Sequence, residues 1–273
     1  MYESHWSLNR KPFDSGCDPE FYYPGESHQA ALLKLRYAVE NRCGAALLTG
    51  SSGIGKTLVV AMLREVLAES DTPVAEVVFP QMSTEELLAY LASKLRGSAQ
   101  GSVLPDARQS IQQIEEALAE AADRDESPVV VLDEAQLLAD RRTLEAIRLL
   151  LNFEHAARPA MTLLLVGQPG ILPTLDRMPS LEERLGVKCL LRPFNERETA
   201  EYVTHRLNAA GCDRTVFEPD ALSALHELAC GVPRRINRLA DLALLIGYAE
   251  QCRTIDAARL ESVSHELVAV VPE

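Results

Sequence analysis

A chain of 273 residues that is 47% hydrophobic and 25% charged has the balance of a soluble globular protein, long enough for one large core or two smaller ones. Its formal net charge of −13, from 27 Lys and Arg against 40 Asp and Glu, leaves no basic half to meet a nucleic-acid backbone, with a local basic patch at PRRINR (233–238) the alternative. No apolar run reaches the 18 or so residues of a membrane span, and the opening MYESHWSLNRKPF has neither the basic nor the apolar region of a signal peptide.

Aromatic residues are scarce at 5%, so the core is expected to be aliphatic, which suits helices packed on a parallel sheet. The six cysteines lie far apart with no CxxC pair, and the six histidines show no HExxH spacing. Reduced, packed thiols, no dedicated zinc site and a cytoplasmic location follow as expectations.

In chain order, short unbroken apolar runs alternate with amphipathic stretches from Gly44 onward. The candidate strands are AALLTG (45–50), PVAEVVF (73–79), PVVVLD (128–133), MTLLLVG (161–167) and VKCLLRPF (187–194). Between them, Val59, Met62, Leu63 and Val66 form a helical stripe, as do Ile111, Ile114, Leu118 and Ala121. Ser83 with Glu86 is a capping-box signature ahead of Leu87, Leu88 and Leu91. GSAQGSVLPD, residues 97–106, reads as an exposed loop. Strands alternating with helices predict βαβ units and a mainly parallel five-stranded sheet.

After Pro193 the strand pattern stops. Helices are predicted over 195–209, 219–230, 233–250 and 255–267, with Pro219 suited to a first turn and Gly231 to a helix end. The expected organisation is an α/β nucleotide-binding domain over residues 1–192 and a small helical lid domain over 193–273.

GSSGIGKT, Gly50 to Thr57, fits the pattern GxxxxGK(S/T) between a predicted strand and a predicted helix. Glycines let consecutive N–H groups curl around phosphate oxygens, and the helix adds its positive end. Chance produces such a match in a chain of this length with a probability of roughly 1%, which disfavours a mere flexible turn. Gly50, Ser51, Ser52, Gly53, Ile54, Gly55, Lys56, Thr57 and Leu58 are therefore candidate nucleotide-binding residues. Lys56 is placed to meet the β- and γ-phosphates, and the Thr57 hydroxyl to ligate Mg²⁺.

Such a site needs acidic residues at the end of another buried strand, and PVVVLDE supplies Asp133 and Glu134. Asp133 is the candidate for holding Mg²⁺, and Glu134 for orienting and polarising the attacking water. An Asp that merely caps the turn after a strand is the alternative.

The DEAQLL run, the VGQPGIL segment and the GVPRRINRLADLALL stretch occur in the order seen in AAA+ ATPases. Together with LNRKPFDSGCDPEFYYPGESHQAALLKLRYAVENRCGAALLTG, they give a chain that most resembles the secretin-assembly ATPases of the general secretion pathway protein A group, neighbours of the transposition and origin-recognition ATPases. The resemblance spans about Trp6 to Leu267. It implies a P-loop fold, binding and hydrolysis of Mg-ATP, a homo-oligomer, and a protein partner in a secretion or envelope complex.

The resemblance also assigns residues. Gln168 in LLLVGQP falls at the γ-phosphate sensor, where many relatives carry Asn; a simple turn at Gln168–Pro169 is the alternative. Arg184, ahead of the fifth strand, falls at the arginine finger, with a solvated surface arginine as the bland alternative. Arg234 of the GxPR step falls at the second sensor, with Arg235 as its competitor and Arg238 flanking. Phe13 and Tyr23, and more weakly Pro12, are placed either against the adenine or in the core.

Members of the group continue into a membrane span and a peptidoglycan-binding region. This chain ends at VVPE, as a standalone paralogue or an excised domain, and envelope binding is not carried over to it. Two other functions stay open: a DNA-directed ATPase of transposition or replication-initiation type, and a slow nucleotide-dependent scaffold. The acidic balance makes nucleic acid an unexpected partner.

Overall fold

The computed structural model describes all residues except 15, 98–104, 139 and 270–273, with backbone alone for 266–269. Most of the loop expected over 97–106 lies outside the described residues. The chain divides into two compact units: Ser27–Ser52 with Val59–Leu191, and Met1–Glu26 with Gly53–Leu58 and Arg192–Glu273.

The first unit is built on a parallel sheet. Its strands are β1 (Ala45–Thr49), β2 (Val74–Val77), β3 (Val129–Leu132), β6 (Thr162–Gly167) and β7 (Leu185–Leu190), and β4 (Glu154–His155) and β5 (Arg158–Pro159) form a separate small antiparallel pair. The order across the sheet is β2-β3-β6-β1-β7, all pairs parallel. Every residue of β1, β3 and β6 is buried, which is why these strands read as unbroken apolar runs. Truncation of one such side chain, Leu47→Ala for example, costs roughly 2–5 kcal/mol.

The first unit's helices are α1 (Glu26–Glu40) and α2 (Lys56–Ala68), whose first turns at Glu26 and residues 56–58 cluster with the other unit, and α3 (Thr84–Leu95), α4 (Ala107–Asp123), α5 (Arg141–Leu150), α6 (Leu172–Asp176) and α7 (Pro179–Glu182). The Ser83–Glu86 capping box is present at α3, and Asp106 with Gln109 forms a second one at α4. The sequence pattern did not single out α1 or α5. Polar and apolar residues are about equally numerous in both, and α5 buries only the face of Thr143, Leu144, Ile147 and Leu150.

The other unit is helical: α8 (Glu196–Ala209), α9 (Pro219–Ala229), α10 (Pro233–Ala249) and α11 (Ala257–Ala269). Pro219 and Pro233 stand in the first turns of their helices. After α9, Cys230 and Gly231 adopt positive φ, and a Cβ on Gly231 would lie 2.0 Å from the Phe194 carbonyl oxygen.

Met1–Glu26 and Gly53–Leu58, expected within a 1–192 domain, cluster with the helical unit, and Tyr2, Trp6, Leu8, Phe13 and Phe21 lie in its core. Trp6 is fully buried and donates its indole N–H to the Leu244 carbonyl at 2.9 Å. Arg206, also buried, lies over the Phe21 ring at 4.3 Å and donates to the carbonyls of Pro12 and Asp14. Aromatic anchors rather than sequence continuity decide where this segment packs.

Candidate functional site

β1 is hydrogen-bonded on both sides up to the point where the glycine loop leaves it. The Gly50 N–H donates to the Gly167 carbonyl at 3.2 Å, and the Thr49 carbonyl accepts from Leu191 N–H at 2.8 Å. β1 also sits where the strand order reverses, between β6 and β7, and the carboxyl edge at such a point is where open α/β sheets bind ligands. Gly53 and Gly55 then take φ of +75° and +103°, backbone that side chains rarely adopt. Ile54 is fully buried and fixes the loop between them.

α2 begins at Lys56. Lys56 is 7% exposed and stands at the positive end of this helix, where a cationic side chain, the helix dipole and the N–H groups of the loop together suit a nucleotide's phosphates. Thr57 is exposed at the same helix start, and Ser51 and Ser52 are exposed in the loop.

The acidic pair stands where β3 ends. The Asp133 N–H extends the ladder to the Val77 carbonyl at 2.9 Å, and Asp133 is 8% exposed. Its Oδ1 accepts the Glu134 N–H at 2.8 Å. Glu134 has φ +50°, a left-handed conformation that turns the chain sharply into the 3₁₀ turn Ala135–Leu137. Gln168 follows β6, the strand between β1 and β3, and its N–H donates to Gln136 Oε1 at 2.8 Å. Gln136 Nε2 in turn donates to Glu134 Oε2 at 2.5 Å. Asp133, Glu134 and Gln168 are thereby brought together at one carboxyl edge.

Arg184 is not brought to that edge. It precedes β7, whose first residue pairs with Ala45 at the amino end of β1. Its guanidinium donates to the Leu151 carbonyl at 3.1 Å and to Asn152 Oδ1 at 2.7 Å.

In the helical unit, Arg234 meets the tip of the glycine loop, its backbone N–H donating to the Gly53 carbonyl at 3.1 Å. Arg235 and Arg238 are exposed along the same helix. Phe13 is buried and packs edge-on against Phe217, whereas Tyr23 is half-buried, packing against Phe194 with its hydroxyl on Glu201.

Two participants escaped the sequence reading, Gln136 and Gly167. Gln136 belongs to the DEAQLL run, but one of its partners, Gln168, follows a strand some thirty residues later. Gly167 ends an apolar strand with no side chain, a signal that something approaches it closely.

Among the described residues, no group of three or more His, Cys, Asp or Glu could hold a metal ion, and no helix is long and apolar enough to cross a membrane. All six cysteines are free thiols.

A glycine loop after β1, an acidic pair at the end of β3 and the order β2-β3-β6-β1-β7 define a P-loop protein of the AAA+ class. The family model described as "AAA domain" matches residues 39–175, and the chain belongs to that family. It is 31% identical over 280 residues to General secretion pathway protein A of Aeromonas hydrophila, a match covering 100% of this chain and 50% of the relative. The chain thus spans half the length of that protein.

Solved structures share the fold at low identity. The structure of Drosophila ORC bound to DNA superposes with a TM-score of 0.75 at 16% identity, covering 97% of this chain and 66% of that one. The Aeropyrum pernix ORC2 protein, in ADPNP–ADP complexes, gives 0.71 at 19%, covering 96% and 75%. The Thermotoga maritima RuvB Holliday junction branch migration motor gives 0.59 at 18%, covering 89% and 69%.

Proposed function

We propose that this protein binds and hydrolyses Mg-ATP in the cytoplasm as an oligomer and uses the cycle to assemble or remodel a protein complex of secretion or the cell envelope. The observation that carries the nucleotide reading is the buried Lys56 at the start of α2, directly after two glycines with positive φ. The process is proposed from the similarity to General secretion pathway protein A.

The chain's residues take these roles. Gly50 to Leu58 wrap the phosphates with backbone N–H groups, and Lys56 neutralises the β- and γ-phosphates. Thr57 and Asp133 would hold Mg²⁺, which supplies charge neutralisation on the phosphates when bound. Glu134 orients a water for attack on the γ-phosphorus and polarises it. Gln168 reads the γ-phosphate from the end of β6. Arg234 links that state to the helical unit, and Arg184 acts on the nucleotide of a neighbouring subunit.

Two substitutions test the reading together. Lys56→Ala should abolish tight ATP binding, because the charge at the β- and γ-phosphates is lost. Glu134→Gln should retain binding and stop turnover. A Glu134→Gln protein that hydrolyses ATP at the wild-type rate would overturn the role given to Glu134. A hydrolysis-blocked variant used as bait then identifies the protein partner.

A further inference from the structure

Gln136 lies two residues beyond the acidic pair and joins two groups with opposite demands. The Gln168 backbone N–H can only donate, and the Glu134 carboxylate accepts. The first contact fixes the amide: Oε1 faces Gln168 at 2.8 Å, so Nε2 faces Glu134 Oε2 at 2.5 Å. Space for this arrangement comes from Gly167. A Cβ there would lie 2.7 Å from Gln136 Oε1 and 3.2 Å from the Gln136 backbone nitrogen. Glu134 is held from its other side too, since its N–H binds Asp133 Oδ1 while its backbone stands at φ +50°.

We propose that Gln136 is a positioning residue for hydrolysis, holding the Glu134 carboxylate in the orientation that engages water and tying that orientation to the end of β6. This rests on the reading of Glu134 given above. Gln136 acts through Glu134 and not on the nucleotide, so its loss affects the chemical step and leaves nucleotide capture alone. Gly167 belongs to the same device, because any side chain there displaces the amide.

The test is steady-state ATPase kinetics and fluorescent-ATP affinity on the full chain. Gln136→Ala is expected to lower kcat by about 10- to 100-fold, the scale of a small misplacement of a reacting group, with ATP affinity kept. Gly167→Ala should reproduce that loss, and the double variant should be no slower than the worse single one.

Gln136→Met supplies a readout that a merely structural role would not give. It keeps the length and bulk of the side chain but can neither accept from Gln168 nor donate to Glu134. Its kcat should therefore fall as far as that of Gln136→Ala, with ATP affinity and melting temperature near wild type. This fall is read within a folded protein and decides the matter if Gln136→Ala is unstable.

Wild-type kcat in Gln136→Ala or Gln136→Met, or an affinity loss as large as the rate loss, overturns the proposal. If Glu134→Gln stops turnover and Gln136→Ala does not slow it, this proposal fails alone. If Glu134→Gln leaves turnover intact, it falls together with the reading of Glu134.

Discussion

Arg234 donates its backbone N–H to the Gly53 carbonyl at 3.1 Å, and it fits there because Gly53 has no side chain. A Cβ on Gly53 would stand 2.7 Å from Arg234 Cβ and 3.5 Å from Val232 Cγ1. The first turn of α10 is therefore packed directly on the tip of the glycine loop.

Gly53→Ala should be damaging twice over, through strain at φ +75° and through the approach to Arg234. Fluorescent-nucleotide titration should show ATP affinity reduced about tenfold or more, the equivalent of about 1.4 kcal/mol. Arg234→Ala keeps the backbone bond and removes only the guanidinium, so turnover should fall while affinity changes little. An equal fall in Arg235→Ala, without one in Arg234→Ala, would transfer the sensor role to the neighbour.

Arg184 stands at the amino edge of the sheet, whereas the glycine loop leaves the carboxyl end of β1, a five-residue strand spanning ~16 Å. The proposed action on a neighbour's nucleotide predicts specific activity that rises with protein concentration. Arg184→Ala should lower kcat by on the order of 10³–10⁵ with ATP affinity retained. Mixing Arg184→Ala with Lys56→Ala protein should restore partial activity, since some interfaces then pair an intact loop with an intact arginine. Concentration-independent activity with no rescue would confine Arg184 to its own chain or to structure.

Glu198 gives a pH signature. Burial pushes its carboxyl upward, but Arg192 and the N–H groups of Asn195 and Glu26 outweigh this and hold it below the ordinary range. A depressed folded value means that its stabilisation is present above the unfolded value of about 4.3 and is lost as pH falls through the folded one. Glu198→Ala should destabilise the protein by about 2–4 kcal/mol at neutral pH. Thermal melts of the variant and the wild type should converge toward pH 3; a gap that persists there would trace the loss to packing.

With −13 formal charges, affinity for duplex DNA should be weak and fall steeply as salt rises. Submicromolar binding at physiological salt would instead favour a DNA-directed ATPase. Arg234, Arg235 and Arg238, on one short stretch of α10, are then the first contacts to substitute.

The sequence by itself determined the phosphate loop, the acidic pair and the parallel sheet. Each is written locally: glycines where φ turns positive, an unbroken apolar run where a strand is covered on both faces, a carboxylate where that strand ends. The cap of α3 and the first turns of α9 and α10 were legible for the same reason, since a Ser–Glu box or a first-turn Pro acts within four residues.

What only the tertiary structure decided involves partners distant in the chain. The opening 26 residues join the helical unit because Trp6 and Phe21 find Leu244 and Arg206 some two hundred residues away. Gln136 matters because β6 pairs beside β3 and brings the Gln168 N–H to its amide. A hydrogen bond requires an approach of about 3 Å, and only the folding of the sheet brings groups so far apart in sequence that close.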